Sequence, residues 1–395
     1  MAGRPRLLSI DALRGAVMVI MALDHTRDFI HRGAMTFSPE DLTQTTPLLF
    51  FTRWITHVCA PTFVFLAGLG AFFRLQRTQS TGDLSRFLWT RGVWLILVEL
   101  TVMRLAMNFT LDVGYPVLLL ILWALGLSMI ALAALIHVPR RVLLASSVGI
   151  IALHNLLDGV AARQFGALAP LWNVLHQSGA FSLAGATIVV GYPVLPWIAV
   201  IALGFCVGDL FLLDPARRRR VVAGAGLVSV ALFVILRLMN AYGDPSPWSP
   251  QSTPTFTMLS FFRTTKYPPS LEFLLMTLGP ALLALAALDG RALSAKNPLV
   301  AIGRVPFFYY VVHFWLLHLV AVVLAWLRYG SASLAFLFSP LPSMGGARTL
   351  FPPDFGYSLG VTYAVWIGVV AALYPLCLWF SRVKARRNEW WISYV

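Results

Sequence analysis

Apolar runs of about twenty residues recur along this chain, and they restrict its fold more than any other feature. A helix of that length crosses about 30 Å of hydrocarbon, where every backbone group must find an internal hydrogen bond. The runs are too long and continuous for barrel strands. Only 12% of the residues are charged and the mean hydropathy is +0.77, whereas soluble proteins carry about 25% charged residues. The sequence therefore predicts an all-α integral membrane protein.

We predict a polytopic bundle of about ten transmembrane helices that forms a single domain over residues 1–395. No internal repeat and no separate soluble domain is visible. The connections alternate in charge, and those that follow every second span are basic, as are both ends of the chain. This pattern places both termini in the cytoplasm. The predicted spans are approximately 8–30, 48–73, 88–108, 115–136, 141–158, 193–213, 221–239, 269–289, 300–327 and 358–380.

The net charge of +14 does not indicate a nucleic-acid partner, because the arginines are spread over short loops between apolar runs. Three cysteines all lie in apolar runs, so we expect neither a disulfide nor a cysteine-ligated metal. The sequence also lacks a phosphate loop, a nucleophile elbow and the H-E-x-x-H metal motif. No convincing cleavage site follows the first run, so we predict an uncleaved first helix.

The first predicted helix carries an unusual number of ionisable residues in "SIDALRGAVMVIMALDHTRDFIH". At about 100° per residue, Arg14 and His25 share one face, with Asp28 and Asp11 nearby and Asp24 at its edge. Arg14 and His25 are about 16 Å apart along the axis. Arg14 could therefore hold an anion at the inner surface, while His25 acts as a base that Asp28 or Asp24 orients. The alternative is that these charges only pair to fix helix packing.

The same periodicity points Arg27 and His31 away from this face, toward the headgroups. Further polar groups occur in other spans. His154 and Asp158 form either a second histidine–carboxylate pair or a helix-end structure. Arg304 and His313 lie about 13 Å apart along the axis but on opposite faces. They can share a site only if the helix is irregular at Gly303 or Pro306.

Two predicted outer loops, "RTTKYPPSLEF" and "FPPDFGYSL", are rich in proline and aromatic residues. They are either packed caps that face a substrate or interfacial anchors at headgroup level. Lys266, Tyr267 and Tyr357 lie in these loops.

The sequence resembles the transmembrane acyltransferases through the arginine–histidine pair of "SIDALRGAVMVIMALDH". It is more closely similar to the bacterial branch related to heparan-α-glucosaminide N-acetyltransferase. The matching segments are "ALDHTRDF", "VLPWIAVIALGFCVGDLF", "TTKYPPSLEFLLMTLGPAL", "GRVPFFYYVVHFWLLH" and "FGYSL…YAVW…LYPLCLWFSRVKARR".

This resemblance implies a multi-pass acyltransferase of the bacterial inner membrane. It would move an acyl group, expected to be acetyl, from cytoplasmic acetyl-CoA to a sugar or glycan on the extracytoplasmic side. Its partners would be acyl-CoA, the acceptor and membrane lipids; no metal and no nucleic acid are expected, and homo-oligomerisation is left open. The resemblance leaves the catalytic histidine open between His25, His31 and His57, and we predict His25.

The residues divide into three predicted groups. The catalytic group is His25, Asp28 and Asp24. The group near the CoA phosphates is Arg14, Arg304 and Arg91. The acceptor-binding group is His57, Lys266, Tyr267, His313 and Tyr357.

A proton-coupled transporter or flippase is the alternative function, with the histidines and aspartates relaying protons. Transporters of this size often contain paired repeats and broken helices in both halves. The absence of a visible repeat favours the acyltransferase.

Overall fold

The computed structural model describes residues 6–112, 114–387, 389, 392 and 394. These residues form mainly helices, together with one small sheet. The helices are α1 (Leu8–Ile30), α2 (Pro47–Trp54), α3 (Cys59–Thr78), α4 (Thr81–Val98), α5 (Arg104–Asn108), α6 (Ile121–Leu135), α7 (Arg140–Leu153), α8 (Ala169–Leu175), α9 (Leu195–Cys206), α10 (Pro215–Met239), α11 (Pro254–Phe262), α12 (Leu271–Asp289), α13 (Pro298–Gly303), α14 (Pro306–Tyr329) and α15 (Leu359–Arg386).

Seven helical segments of the described chain are long and apolar enough to cross a membrane. The prediction of about ten spans is therefore confirmed only as a multi-pass helical architecture. The first helix is not among the seven because of its ionisable residues, and α6 has only 15 residues, or about 22 Å of rise. The seven segments are Pro47–Thr78, Arg140–Leu157, Leu195–Leu212, Pro215–Met239, Leu271–Asp289, Pro306–Ala335 and Leu359–Arg386.

A three-stranded sheet corrects the purely helical prediction. Strands β1 (Val117–Leu119), β2 (Gly179–Leu183) and β3 (Ala186–Val190) lie in the order β1-β3-β2. The β2–β3 pair is an antiparallel hairpin, and β1 runs parallel to β3. Ala184 and Gly185 both have positive φ, which suits the two-residue turn of a tight hairpin. Short apolar runs that look like parts of helices or loops thus form strands in two separate connections.

Helix α1 lies inside the bundle and contacts α3, α12, α13, α14 and α15. Its apolar middle contributes Val17, Met18 and Ala22 to the core, each at most 2% exposed. Several of its charged residues are also buried, so the helix positions ionisable groups away from bulk solvent. This central position explains why a helix with so many charges is stable within an apolar chain.

A break between α13 and α14 resolves the geometric conflict between Arg304 and His313. Helix α13 ends at Gly303 and helix α14 begins at Pro306, with Val305 between them at φ −130° and ψ 50°. The missing proline N–H and its fixed φ suit the first turn of a new helix. On the sequence alone, Arg304 and His313 could share a site only if the helix were irregular at Gly303 or Pro306, and the helix does break there. Both Arg304 and His313 consequently reach α1.

Two glycines allow α1 and α13 to pack with their backbones in contact. A Cβ atom on Gly15 would lie 1.9 Å from the carbonyl oxygen of Leu299, and one on Gly303 would lie 1.8 Å from that of Asp11. Backbone atoms cannot move aside as the end of a flexible side chain can. These positions therefore require glycine because of the close helix approach.

We expect Gly303→Ala to lower the unfolding temperature in detergent, because the added methyl group overlaps the backbone of α1. Overpacking of this kind costs about 1–3 kcal/mol. Gly224→Ala on α10 is the matched control, since a Cβ there meets nothing within 4 Å. Equal thermal stability of the two variants would show that the α1–α13 approach is looser than described.

Candidate active site

Two histidines meet near the carboxyl end of α1. His25 Nδ1 and His313 Nε2 are 2.6 Å apart, and the two rings are stacked with centroids 4.9 Å apart. His313 on α14 is fully buried, whereas His25 is partly exposed. His25 thus presents the accessible ring, with His313 behind it.

The hydrogen bonds determine the tautomers of this pair when both rings are neutral. His313 Nδ1 lies 2.9 Å from the carbonyl oxygen of Tyr309, which can only accept a hydrogen bond. Nδ1 of His313 must therefore carry the proton, and its Nε2 accepts from Nδ1 of His25. The remaining nitrogen of His25, Nε2, then carries the lone pair that a general base requires.

A network of buried charges surrounds the histidine pair. Arg53 on α2 forms a short ion pair with Asp24, and Arg27 binds both Asp24 at 3.2 Å and Asp28 at 2.6 Å. Asp24 is close enough to His25 for its charge to act on the imidazole. The two carboxylates of α1 are thus held by arginines.

Lys266 and two tyrosines line the same region. The Tyr267 hydroxyl lies 3.4 Å from an Arg53 nitrogen and 3.5 Å from the hydroxyl of Tyr192. The Lys266 ammonium lies 5.2 Å from the Tyr267 ring centroid and is itself buried. Burial raises the pKa of Tyr192 well above its usual value, so this hydroxyl remains protonated. The wall offers hydroxyl and ammonium groups to a polar ligand.

His57 is buried beside the same network, with Nε2 lying 3.4 Å from a carboxylate oxygen of Glu40. Glu40 also lies 4.0 Å from Arg53. The loop between α1 and α2 thereby supplies an acidic group to the site.

A second cluster, at the amino end of α1, is strongly basic. Asp11 accepts hydrogen bonds from Arg6 at 2.6 and 2.8 Å and lies 3.4 Å from Arg14. Arg14 also donates to the carbonyl of Gly303 at 3.2 Å. Arg304 lies 3.9 Å from Asp11, and its buried Nε has no hydrogen-bond partner among the residues that the structure describes.

Lys384 on α15 adds to this basic cluster, because its ammonium experiences the charges of Arg91, Arg6 and Arg14. The Arg91 guanidinium lies 5.6 Å from the Phe307 ring centroid at the start of α14. Several cations thus lie around the Asp11 carboxylate, an arrangement suited to a ligand with several phosphates.

The family model described as "Heparan-alpha-glucosaminide N-acetyltransferase, catalytic" matches residues 6–242. No curated protein matches the chain. The chain belongs to the heparan-alpha-glucosaminide N-acetyltransferase family. This membership supports a multi-pass membrane N-acetyltransferase and confirms the resemblance to this family that the sequence motifs indicate. The matched region contains His25 and Arg14, whereas Lys266, Tyr267 and His313 follow it.

The structure of this N-acetyltransferase homologue brings together most of the predicted site residues. His25, Asp24, Asp28, His57, Lys266, Tyr267 and His313 surround one region, and Arg14, Arg304 and Arg91 belong to the basic cluster. Tyr357 is placed differently. Its backbone pairs with the end of α1, and its hydroxyl donates to the carbonyl of Leu324 at 2.8 Å. Tyr357 therefore holds the loop that precedes α15 against the end of α1 and against α14.

Two expectations about α1 were wrong. Arg27 does not reach the headgroups but is 5% exposed and bound to Asp24 and Asp28. Asp28 was expected to orient His25, but its carboxylate pairs with Arg27, and the ring nitrogen of His25 pairs with His313 instead. Helical angles show which residues share a face, but they do not reveal that a neighbouring helix supplies a closer partner.

His31, an alternative catalytic histidine, lies just beyond α1. Its backbone pairs with Tyr357, and burial together with the charges of Arg27 and Arg32 lowers its pKa to about 4. It is therefore neutral at pH 7.

Sequence reasoning did not assign Tyr192, Glu40, Lys384 or Arg53 to the site. Arg53 and Lys384 each interrupt or end an apolar run, which is the signal that could have identified them. Tyr192 and Glu40 lie in loops and carry no comparable signal.

We expect Asp24→Asn to destabilise the protein by about 3–5 kcal/mol, because Arg53 and Arg27 lose a buried counter-charge. Unfolding in detergent, followed by circular dichroism, measures the change. Asp83→Asn, in the exposed first turn of α4, is the control and should be neutral. A thermal midpoint for Asp24→Asn equal to that of the control would contradict a buried ion-pair network.

Proposed function

We propose that this protein transfers an acetyl group from cytoplasmic acetyl-CoA to an amine or hydroxyl of a sugar or glycan on the extracytoplasmic side of a bacterial inner membrane. The observation that carries this proposal is the pairing, on one helix, of a basic cluster at one end with a histidine dyad at the other. Arg14 and His25 are separated by about 16 Å of helix, a distance that the pantetheine arm of CoA can span.

The basic cluster is proposed to hold the phosphates of the donor. Guanidinium groups bind phosphate oxygens through paired, charge-assisted hydrogen bonds. Arg304 is suited to this role because its buried Nε makes no hydrogen bond to any described residue. Arg14 is already engaged by Asp11 and Gly303, so it would position the cluster as well as contribute charge. The thioester would then extend along α1 toward His25.

At the other end, Nε2 of His25 would take a proton from the acceptor as its nitrogen or oxygen attacks the thioester carbonyl. The new C–N or C–O bond forms, the C–S bond breaks, and the proton passes from His25 to the leaving CoA sulfur. His313 keeps the His25 ring in the required tautomer, and the charge of Asp24 stabilises the transient imidazolium. Lys266, Tyr267 and His57 would contact the acceptor, while Asp28 supports Arg27.

We expect His25→Gln to reduce turnover by about 10²–10⁴-fold, since the base is lost while the polar shape of the side chain is retained. His313→Gln should lower kcat with a smaller change in KM for the acceptor, because it alters the orientation of His25. CoA release from acetyl-CoA by the purified protein with amino-sugar acceptors measures both. His137→Gln, at an exposed position, is the control.

Wild-type turnover that persists in His25→Gln would transfer the catalytic role to another histidine. A wild-type protein that neither binds acetyl-CoA at about 1 mM, near the upper end of ordinary KM values, nor releases CoA would overturn the acetyltransferase proposal. Proton flux in liposomes would then test the transporter alternative.

We expect Arg304→Gln to weaken acetyl-CoA binding by about 10–100-fold, the range of one charged hydrogen bond. Acetyl-dephospho-CoA, which lacks the 3′-phosphate, identifies the group that Arg304 contacts: if it is this phosphate, the variant will bind both donors with similar affinity. Arg220→Gln removes an equal charge at an exposed position of α10. Equal weakening by the two substitutions would indicate a nonspecific charge effect.

A further inference from the structure

Three potential metal ligands meet away from the proposed active site, where α7 ends. His154 begins the short 3₁₀ helix that extends α7, Asp158 follows it, and His176 terminates α8. One nitrogen from each imidazole and one oxygen of the carboxylate all lie within 4.8 Å of one another. Chain segments that are distant in sequence therefore converge on one point.

Both imidazoles are buried without adequate partners. His154 is 3% exposed and His176 is 2% exposed. Within the described part of the chain, none of their four ring nitrogens makes a hydrogen bond of normal geometry, although His176 Nε2 lies 3.2 Å from Asp158 Oδ1. A backbone group of Pro269 interacts with the His154 ring, but not with that geometry. Buried polar atoms without partners are costly and commonly indicate an ion or water between them.

We propose that His154, Asp158 and His176 bind a zinc-like divalent transition-metal ion. Imidazole nitrogen and carboxylate oxygen together are typical zinc ligands, whereas calcium and magnesium prefer oxygen alone. Ligand atoms at 2.0–2.1 Å from a tetrahedral zinc ion are about 3.3 Å apart. His176 Nε2 and Asp158 Oδ1 are 3.2 Å apart, which matches one edge of such a tetrahedron. A His154 nitrogen lies within 4.8 Å of both of these atoms, so the His154 ring would have to move closer to complete the site.

The surrounding contacts orient the carboxylate as a metal ligand requires. Asn155 Nδ2 donates to Asp158 Oδ2 at 2.8 Å, which leaves Oδ1 directed at His176. Oδ1 of Asn155 accepts a hydrogen bond from the backbone N–H of Leu271 at 2.9 Å, so the Asn155 side chain is anchored to α12. Such outer contacts commonly fix the ligands of metal sites.

An aromatic side chain covers the His176 side of the cluster. The Trp172 ring lies edge-on to His176, with centroids 5.4 Å apart, and its Nε1 donates to the carbonyl of Val160 at 2.8 Å. The ion would tie the end of α7 to α8 and stabilise the segment that continues into β2 and β3. That segment leads to Tyr192 in the proposed active site, so the metal would have a structural role.

The test uses the full-length protein in detergent, without an affinity tag that contains histidines, after chelation and buffer exchange. Zinc titration by calorimetry should show one equivalent bound per chain, and cobalt should give the visible absorption of a tetrahedral site. His154→Gln and His176→Gln should weaken zinc binding at least tenfold, while His137→Gln at an exposed site should leave it unchanged. Zinc should also raise the unfolding temperature of the wild type and of His137→Gln.

Asp158→Asn is a further variant for the case in which loss of a buried histidine prevents folding, since the Asp158 residue is exposed. It should also weaken zinc binding at least tenfold. Absence of stoichiometric zinc binding by the wild type would overturn the proposal. Zinc binding that all folded cluster variants retain would also overturn it, and would identify the cluster as a neutral hydrogen-bonded structure.

Discussion

The packing of α1 against the broken helix α13–α14 supports both parts of the proposed site. Gly15 and Gly303 bring the two backbones into contact, and the break before Pro306 redirects the chain. Without the close approach, Arg304 could not reach Asp11. Without the break, His313 would lie on the opposite face from Arg304. One local irregularity therefore positions a basic group at one end of α1 and a histidine partner at the other.

This arrangement requires buried charges, and the structure compensates them locally. Asp24, Asp28 and Glu40 supply three carboxylates to the network, and Arg27, Arg53 and Lys266 supply three cations. Removing an ion from water costs several kcal/mol, so each charge needs nearby partners. The basic cluster differs, because Asp11 is shared by several arginines. This imbalance makes the cluster, rather than the network, suited to an anionic ligand.

The sequence predicted the features that depend on local periodicity. The bounds of α1 and the shared face of Arg14 and His25 follow from helical geometry and residue type, and the same geometry marked Gly303 and Pro306 as the positions where an irregularity would matter. It did not predict the His25–His313 contact, because 288 positions separate the two residues and helical angles describe only one element. The hairpin was missed for a related reason, since strand pairing depends on partners elsewhere in the chain. Arg27 was expected to reach the headgroups. It is instead buried by the surrounding helices and pairs with Asp24 and Asp28 on its own helix.

The distribution of the site along the chain has a consequence for function. Residues 6–242 match the family model, yet the tautomer of His25 is set by His313 on α14. His25 alone could exist in either neutral tautomer; the Tyr309 carbonyl, acting through His313, selects the one with a free Nε2 lone pair. The carboxyl-terminal helices therefore complete the proposed base, whose key residue lies in the first helix. Loss of the α13–α14 packing would change the orientation of that base even with every residue of α1 intact.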